Sequence, residues 1–166
     1  VQSTIICGNG ITVCISKDEI VFYFGKNTLY SNVLSSNFLP PAKVPSLCDI
    51  QGISLGLEHC ICLDSNGNLF TFGKNTYGQL GIGKDYNELV FSSEPIKVEL
   101  PSVIQVSCSA FSNVCLTIEG LFSFGDNRYG ALGLGKKESF NSPQLIDCLQ
   151  DVEFIESGGG HHICKC

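Results

Sequence analysis

The chain writes one Gly-rich string twice, as FGKNTYGQLGIGK at 72–84 and as FGDNRYGALGLGK at 124–136. A long string that recurs at a fixed interval points to a repeating structural unit, because each copy fills the same place in its own unit. A phosphate-binding loop is the competing explanation, and it makes different demands. A dinucleotide loop has the order G-x-G-x-x-G between a strand and a helix. Here the order is G-x-x-G-x-G, and the residues that follow read as a polar loop. Gly83-Lys84 is followed by Asp85 rather than Ser or Thr, so the nucleotide-loop signature is missing too.

The unit around the string can be traced three times. Phe-Gly pairs stand at 24–25, 72–73 and 124–125, a spacing of about fifty residues. A short strand-like run precedes each pair: IVFYF at 20–24, NLFTF at 68–72 and GLFSF at 120–124. A second run lies earlier, as TVCIS at 12–16, CICLD at 60–64 and NVCLT at 113–117. Asn66-Gly67, between two of these runs, is a tight-hairpin signal. A Pro-x-x-Val/Ile signal follows every string, at Pro41 to Val44, Pro95 to Val98 and Pro143 to Ile146. A further strand-like piece then ends in small residues: GISLG at 52–56, QVSCS at 105–109 and FIESG at 154–158. No stretch sustains the i, i+3, i+4, i+7 pattern of a helix.

Four short strands per unit of this length is the pattern of a propeller blade. The expectation is an all-β chain: a β-propeller segment of about three four-stranded blades plus the start of a fourth, within one domain. The units fall at approximately 5–52, 53–105 and 106–154, with 155–166 opening the next. In each string the glycines supply positive-φ turns and close backbone approach. Gly73, Asn75, Gly78, Leu80 and Gly81 are therefore structural repeat positions, matched by Gly125, Asn127, Gly130, Leu132 and Gly133. Leu80 and Leu132 read as apolar plugs between turns. The first unit is degenerate, with Tyr30, Val33 and Ser35 where the others have Gly.

Composition narrows the function classes. Hydrophobic residues make up 43% and charged residues 16%, the balance of a packed chain. The net charge is −6 and Arg128 is the one arginine, so this segment lacks the basic surplus of a general nucleic-acid binder. No run reaches the length of a membrane-spanning helix. The chain contains no Met, and its first residues lack the parts of a signal peptide. It reads as an excerpt of a larger soluble protein, with further units expected on both sides.

Ten cysteines invite a zinc reading, since Cys60-x-Cys62 and Cys164-x-Cys166 lie beside His59, His161 and His162. The repeat argues otherwise. Cys14, Cys62, Cys115 and Cys164 share one slot, Cys7 and Cys108 another, and Cys48 and Cys148 a third, counted from the Phe-Gly glycine. Equivalent slots are a blade apart, and C-x-C is not the usual spacing of a structural zinc site. Small buried hydrophobes are the better account, with no metal and no cofactor. So many unpaired thiols fit an intracellular setting, cytoplasm or nucleus. Catalysis would need a nucleophile or acid–base pair in a fixed constellation, and none is legible.

GLEHCICLDSNGNLFTFGKNTYGQLGIG, residues 56–83, resembles the repeat of the regulator of chromosome condensation family almost position for position. Residues 109–135 are similar in the turn half but carry Ser109 and Ser112 where the repeat has Gly and His. SGGGHHICKC at the end looks like the opening of a further unit. The absence of Trp sets the chain apart from WD and kelch propellers. The resemblance implies a seven-bladed ring and a structural role for Gly56 and for His59 and His161 in the G-x-x-H slot. It also implies a non-catalytic protein-interaction propeller, or alternatively an exchange factor for a Ran-like small GTPase. The implied partner is a protein, with a small GTPase as the named candidate.

Candidate partner-binding residues come from where units differ. The longest insert, KDYNELVFSSE at 84–94, offers Lys84, Asp85, Tyr86 and Phe91. Length variation belongs in loops, and loops on a rigid scaffold carry binding. Arg128, in the slot of Thr28 and Thr76, is a further candidate anchor.

Overall fold

The computed structural model describes residues 5–26, 38–84 and 88–166, and every regular element among them is a strand. Strands β1 (Ile5–Gly8), β2 (Ile11–Ile15), β3 (Val21–Lys26) and β4 (Phe38–Lys43) form an antiparallel sheet in chain order. The same meander repeats in β5 (Ile50–Leu55), β6 (His59–Asp64), β7 (Leu69–Lys74) and β8 (Phe91–Val98). It repeats again in β9 (Val103–Cys108), β10 (Ser112–Thr117), β11 (Gly120–Gly125) and β12 (Phe140–Leu145). A hairpin of β13 (Phe154–Ser157) and β14 (His162–Lys165) follows. The all-β expectation holds, and the four-stranded sheets are blades. The innermost strand of each sheet pairs with the hairpin after it. Sheet limits therefore fall ahead of the 52/53 and 105/106 boundaries drawn from the repeat.

Side-chain alternation tells which faces are covered. In β2, Ile11, Val13 and Ile15 are buried and the residues between them half-buried, as for a strand with one face covered. In β6 and β10 every residue is buried, because a neighbouring blade covers each face. Cys60 and Cys62 join Ile11, Val13, Tyr23 and Phe72 in the first seam between blades. From the other face of the same hairpin, Ile61, Leu63 and Leu69 join Cys115 and Phe124 in the second seam. Val114, Leu116 and Leu121 then meet Ile155 and Cys164 in the third. Phe72 and Phe124 are fully buried, each contributing roughly 2–3 kcal/mol from lost apolar exposure.

The Phe-Gly pair has a mechanical reason. At each copy the pairing of the third strand with the fourth slips, between Tyr23 and Gly25, Thr71 and Gly73, and Ser123 and Gly125. The three glycines have φ of 102°, 107° and 106°. A Cβ on Gly125 would lie 2.4 Å from the Phe111 carbonyl oxygen, and one on Gly25 equally close to that of Gly10. The backbone of the turn between the first two strands leaves room for no side chain there. The prolines have an edge role: Pro41, Pro95 and Pro143 all lie in outermost strands, where a missing N–H discourages pairing with other chains.

Candidate protein-interaction face

In an antiparallel meander the first turn and the third connection emerge at the same end of the sheet. That end is built around two asparagines. Asn75 Oδ1 accepts from the Leu80 amide at 3.0 Å, and its Nδ2 donates to the Leu89 carbonyl at 2.9 Å. Asn127 repeats the arrangement with the Leu132 amide at 2.9 Å and the carbonyls of Lys136 and Glu138. Thr71 and Ser123 hydroxyls donate to the carbonyls of Leu80 and Leu132, each at 2.8 Å. Leu80 and Leu132 are thus fully buried with their backbones fixed from two sides. The string is a structural turn rather than a phosphate cradle, since these side chains satisfy its polar groups from within.

The turn also grips the next blade. Asn113 Nδ2 donates to the Gln79 carbonyl at 2.8 Å, and the Gly83 amide to the Asn141 carbonyl at 2.7 Å. A Cβ on Gly81 would strike the Phe124 ring at 2.6 Å. The first turns form a ladder of their own. Asn9 Nδ2 donates to the Leu57 carbonyl, the Leu57 amide to Ala110 and the Ala110 amide to Gly159.

Histidines stand at the seams under these turns. His59 is fully buried, and its Nε2 lies 2.7 Å from Asn113 Oδ1. Because the Asn113 amide nitrogen already donates to Gln79, its oxygen accepts, and Nε2 carries the proton. The ring lies where a Gly56 Cβ would be, 2.0 Å from Cε1, so Gly56 is the only residue type that leaves it space. Burial, against the hydrogen bond to Asn113 and the charge of Glu58, lowers the His59 pKa from 6.5 to about 4. His161 holds the matching place over Gly158 but is exposed.

His162, with no role legible in the sequence beyond the zinc question, sits one seam on. Its Nδ1 is 2.6 Å from Ser157 Oγ, and its Nε2 is 2.9 Å from Ser112 Oγ, itself 2.6 Å from Ser109 Oγ. The pattern is regular: the G-x-x-H slot of one blade meets the following slot of the next, as His59 with Asn113 and then Ser112 with His162. The chain Ser157–His162–Ser112 has the outline of a nucleophile and base, but its chemistry is structural. Ser112 is buried, the third member is a hydroxyl, and burial with the neighbouring His161 charge lowers His162 to about 4. A base so weak takes no proton from a serine near neutral pH.

Above the second seam lies an aromatic and cationic stack. The Tyr77 and Phe111 rings are 5.1 Å apart and tilted by 54°, and the Arg128 guanidinium lies 4.4 Å from the Tyr77 centroid. Arg128 Nε and Nη2 both donate to the Asp126 carboxylate. This hydrogen bond pulls the Asp126 pKa below the usual range. Tyr129, in the slot of Tyr77, is 87% exposed. Of the sequence candidates, Lys84 is exposed and its carbonyl accepts from Asn141 Nδ2. Phe91 is half-buried and opens β8 opposite Lys74. Asp85 and Tyr86 lie outside the described residues. Tyr77, Phe111 and Tyr129 were missed. Two of them were in plain view inside the repeated string, but they looked like repeat residues.

Residues 66–116 and 120–165 match the family model of the regulator of chromosome condensation (RCC1) repeat, and residues 50–79 match a second model of that repeat. The chain belongs to this family. It is 32% identical over 165 residues to the human probable E3 ubiquitin-protein ligase HERC6, covering 93% of this chain and 16% of that protein. It is 28% identical over 170 residues to the regulator of chromosome condensation of Xenopus laevis, covering 95% of this chain and 39% of that one. Among solved structures, yeast RCC1 (Prp20) bound to Kap60 superposes with a TM-score of 0.86 at 21% identity, over 97% of this chain and 41% of that chain. The chain therefore spans less than half the length of each of these three proteins.

RCC1-repeat geometry also sorts the thiols. Cys60, Cys62, Cys108 and Cys115 are buried in the seams. Burial raises Cys60 and Cys115 well above the ordinary range and Cys108 to about 12. One sequence pairing is corrected. Val44 and Ile146 are the equivalent residues, donating to Val21 and Leu121 carbonyls. Cys48 and Cys148 stand at different distances after them, so they share no structural slot. Among the described residues no group of three or more His, Cys, Asp or Glu side chains is placed to hold a metal. Alkylation followed by mass spectrometry is expected to modify the exposed Cys7, Cys48, Cys148 and Cys166 in the folded chain. Cys60, Cys108 and Cys115 should react only once denaturant is added.

Proposed function

We propose that this chain is a non-catalytic propeller segment of an intracellular protein, and that it recognises a protein partner through the end carrying the first turns and the Asn75 and Asn127 loops. The observation that carries this is the stack of Arg128 on Tyr77 on Phe111. Tyr and Arg presented on a rigid frame are the residue types that dominate binding hot spots. Lys84 and Lys136 add cations at the same end, while Asp18, Asp49, Glu99 and Glu119 lie at the other. An acidic partner surface would be steered toward the former.

The test is recovery of partners from cells expressing the full chain with Arg128→Ala and Tyr129→Ala, against a Glu119→Ala control at the opposite end. Loss in the first and retention in the second is expected. Equal recovery in both would remove this face from recognition.

A second reading is nucleotide exchange on a Ran-like small GTPase. It is favoured by likeness to Prp20p of Saccharomyces cerevisiae, whose structure was described together with its binding to Gsp1p and histones. Release of a fluorescent guanine nucleotide from a small GTPase, with and without the chain, separates the two. Acceleration supports exchange, and an unchanged release rate supports binding alone.

A further inference from the structure

The turn that joins β6 to β7 is seated on the next blade. Asp64 Oδ1 accepts from the Asn66 and Asn68 amides at 2.9 and 2.8 Å, and Oδ2 from Asn68 Nδ2 at 2.8 Å. The Gly67 amide donates to the Asp64 carbonyl at 3.2 Å, and the Gly67 carbonyl accepts from the Val103 amide, at the start of β9, at 2.9 Å. Gly67 has a φ of 79°, and a Cβ there would lie 2.2 Å from Ser102 Oγ. Both sheets that meet at this second seam have all four strands. Asn66, at the tip of the turn, is exposed. Glycine at 67 thus has a packing reason, while the pair Asn66-Gly67 has a chemistry of its own.

We propose that Asn66 is a site of spontaneous deamidation that the second seam holds closed, so that it reacts when the turn lifts off the next blade. The Gly67 amide nitrogen attacks the Asn66 side-chain carbonyl carbon. The bond from that carbon to Nδ2 breaks, and ammonia leaves with the Gly67 amide proton, giving a cyclic imide. Water then opens the ring at either carbonyl, to aspartate or to isoaspartate. Glycine favours the attack because no Cβ shields its nitrogen. In the seated turn Asp64 holds the Asn66 amide, Val103 holds the Gly67 carbonyl, and the Gly67 N–H is itself bonded. The nitrogen therefore cannot swing onto the side-chain carbon. The rate is that of the open turn multiplied by the fraction of time it is open, as for other reactions of a transiently opened segment. Isoaspartate puts an extra carbon into the backbone between residues 66 and 67, which takes the Gly67 carbonyl away from Val103. A passing opening of the seam is thereby turned into a lasting one.

The test is incubation of the full chain near neutral pH, followed by tryptic digestion and mass spectrometry, beside a synthetic peptide of residues 60–71 as the open reference. Deamidation at Asn66 is expected to be roughly tenfold or more slower in the folded chain than in the peptide. Urea below the unfolding transition should raise the folded rate severalfold. Gly78→Ala, which presses on β12 at the opposite end of the same seam, should do so too. The other Asn-Gly pair, Asn9-Gly10, donates from Asn9 Nδ2 to the Leu57 carbonyl and falls in a separate tryptic peptide, so the two sites are read apart. Equal rates in peptide and folded chain would overturn the proposal, as would a folded rate that urea leaves unchanged. The isoaspartyl fraction, separated from the unreacted chain, should melt several degrees lower. Asn66→Asp, which adds the charge without the extra backbone carbon, should stay close to the native melting point. An isoaspartyl chain that melts with the unreacted one would refute the lasting opening.

Discussion

Between pH 6.5 and about 4 the folded chain is expected to lose roughly 3 kcal/mol of stability through His59 alone. The cause is geometric. Nε2 donates to Asn113 Oδ1, and Nδ1 is buried without a partner. A second proton would have to enter a buried seam and sit on a nitrogen that meets no protein acceptor. The folded-state pKa is therefore depressed below the unfolded value of 6.5. Within that window the unfolded chain binds more protons than the folded one, so stability rises with pH. The contribution is fully present above pH 6.5 and is lost as pH falls through about 4. His162, lowered to about 4 mainly by burial, acts in the same direction in the same window. Urea unfolding at a series of pH values measures the effect. His59→Gln, which keeps a donor toward Asn113 but has no proton to gain, should flatten the slope by about one proton. A native slope of zero between these pH values would refute the assignment.

The frame was legible in the sequence because it is written in glycines with mechanical duties. Gly25 and Gly125 recur because a carbonyl of the first turn occupies the space of a Cβ, a demand that leaves one residue type possible, and Gly73 repeats their positive φ. Asn75 and Asn127 recur because one amide must accept from a buried N–H and donate to a distant carbonyl at once. The seams were less legible. His59 with Asn113 and Ser112 with His162 join unlike residues one slot apart in neighbouring units, and like-to-like alignment hides them. Ser112 looked like a lost histidine, whereas the structure shows the imidazole supplied from the following blade.

The proposed interaction face was legible only in part. Arg128 drew attention as a lone arginine, but Tyr77 and Tyr129 were absorbed into the repeat. Tyr77 meets Phe111 in the first turn of the next blade, a contact visible only when the slot of one blade is known to pack on the turn of the next. The insert at 84–94 stands out in the sequence by its length. Length marks freedom from the frame but not which side chains a partner meets.

Gly78→Ala is expected to destabilise the chain beyond the cost of its turn conformation, and Gly78→Asn is expected to fare little better. The φ of Gly78 is 75°. Placing an L-residue in this left-handed conformation costs about 1–2 kcal/mol, and Asn relieves part of that cost. The remainder lies outside the turn. A Cβ on Gly78 would lie 2.7 Å from Asn141 Cα and 2.8 Å from the Phe140 carbonyl oxygen, both in the outermost strand of the next blade. The clash is with backbone, which cannot rotate aside, and any residue with a Cβ meets it, so the turn or β12 must shift. That shift strains the Gly83-to-Asn141 hydrogen bond and the Leu80 plug beneath, adding roughly 1–3 kcal/mol as other overpacked sites do. Thermal unfolding of both variants and the native chain under one condition gives the answer directly. Both variants should melt several degrees below the native chain, at about 2–4 °C per kcal/mol for a chain of this size. A Gly78→Asn melting point close to the native one would mean that the string's glycines serve only their own turns. The claim that each turn is built to seat on the following blade would then fail.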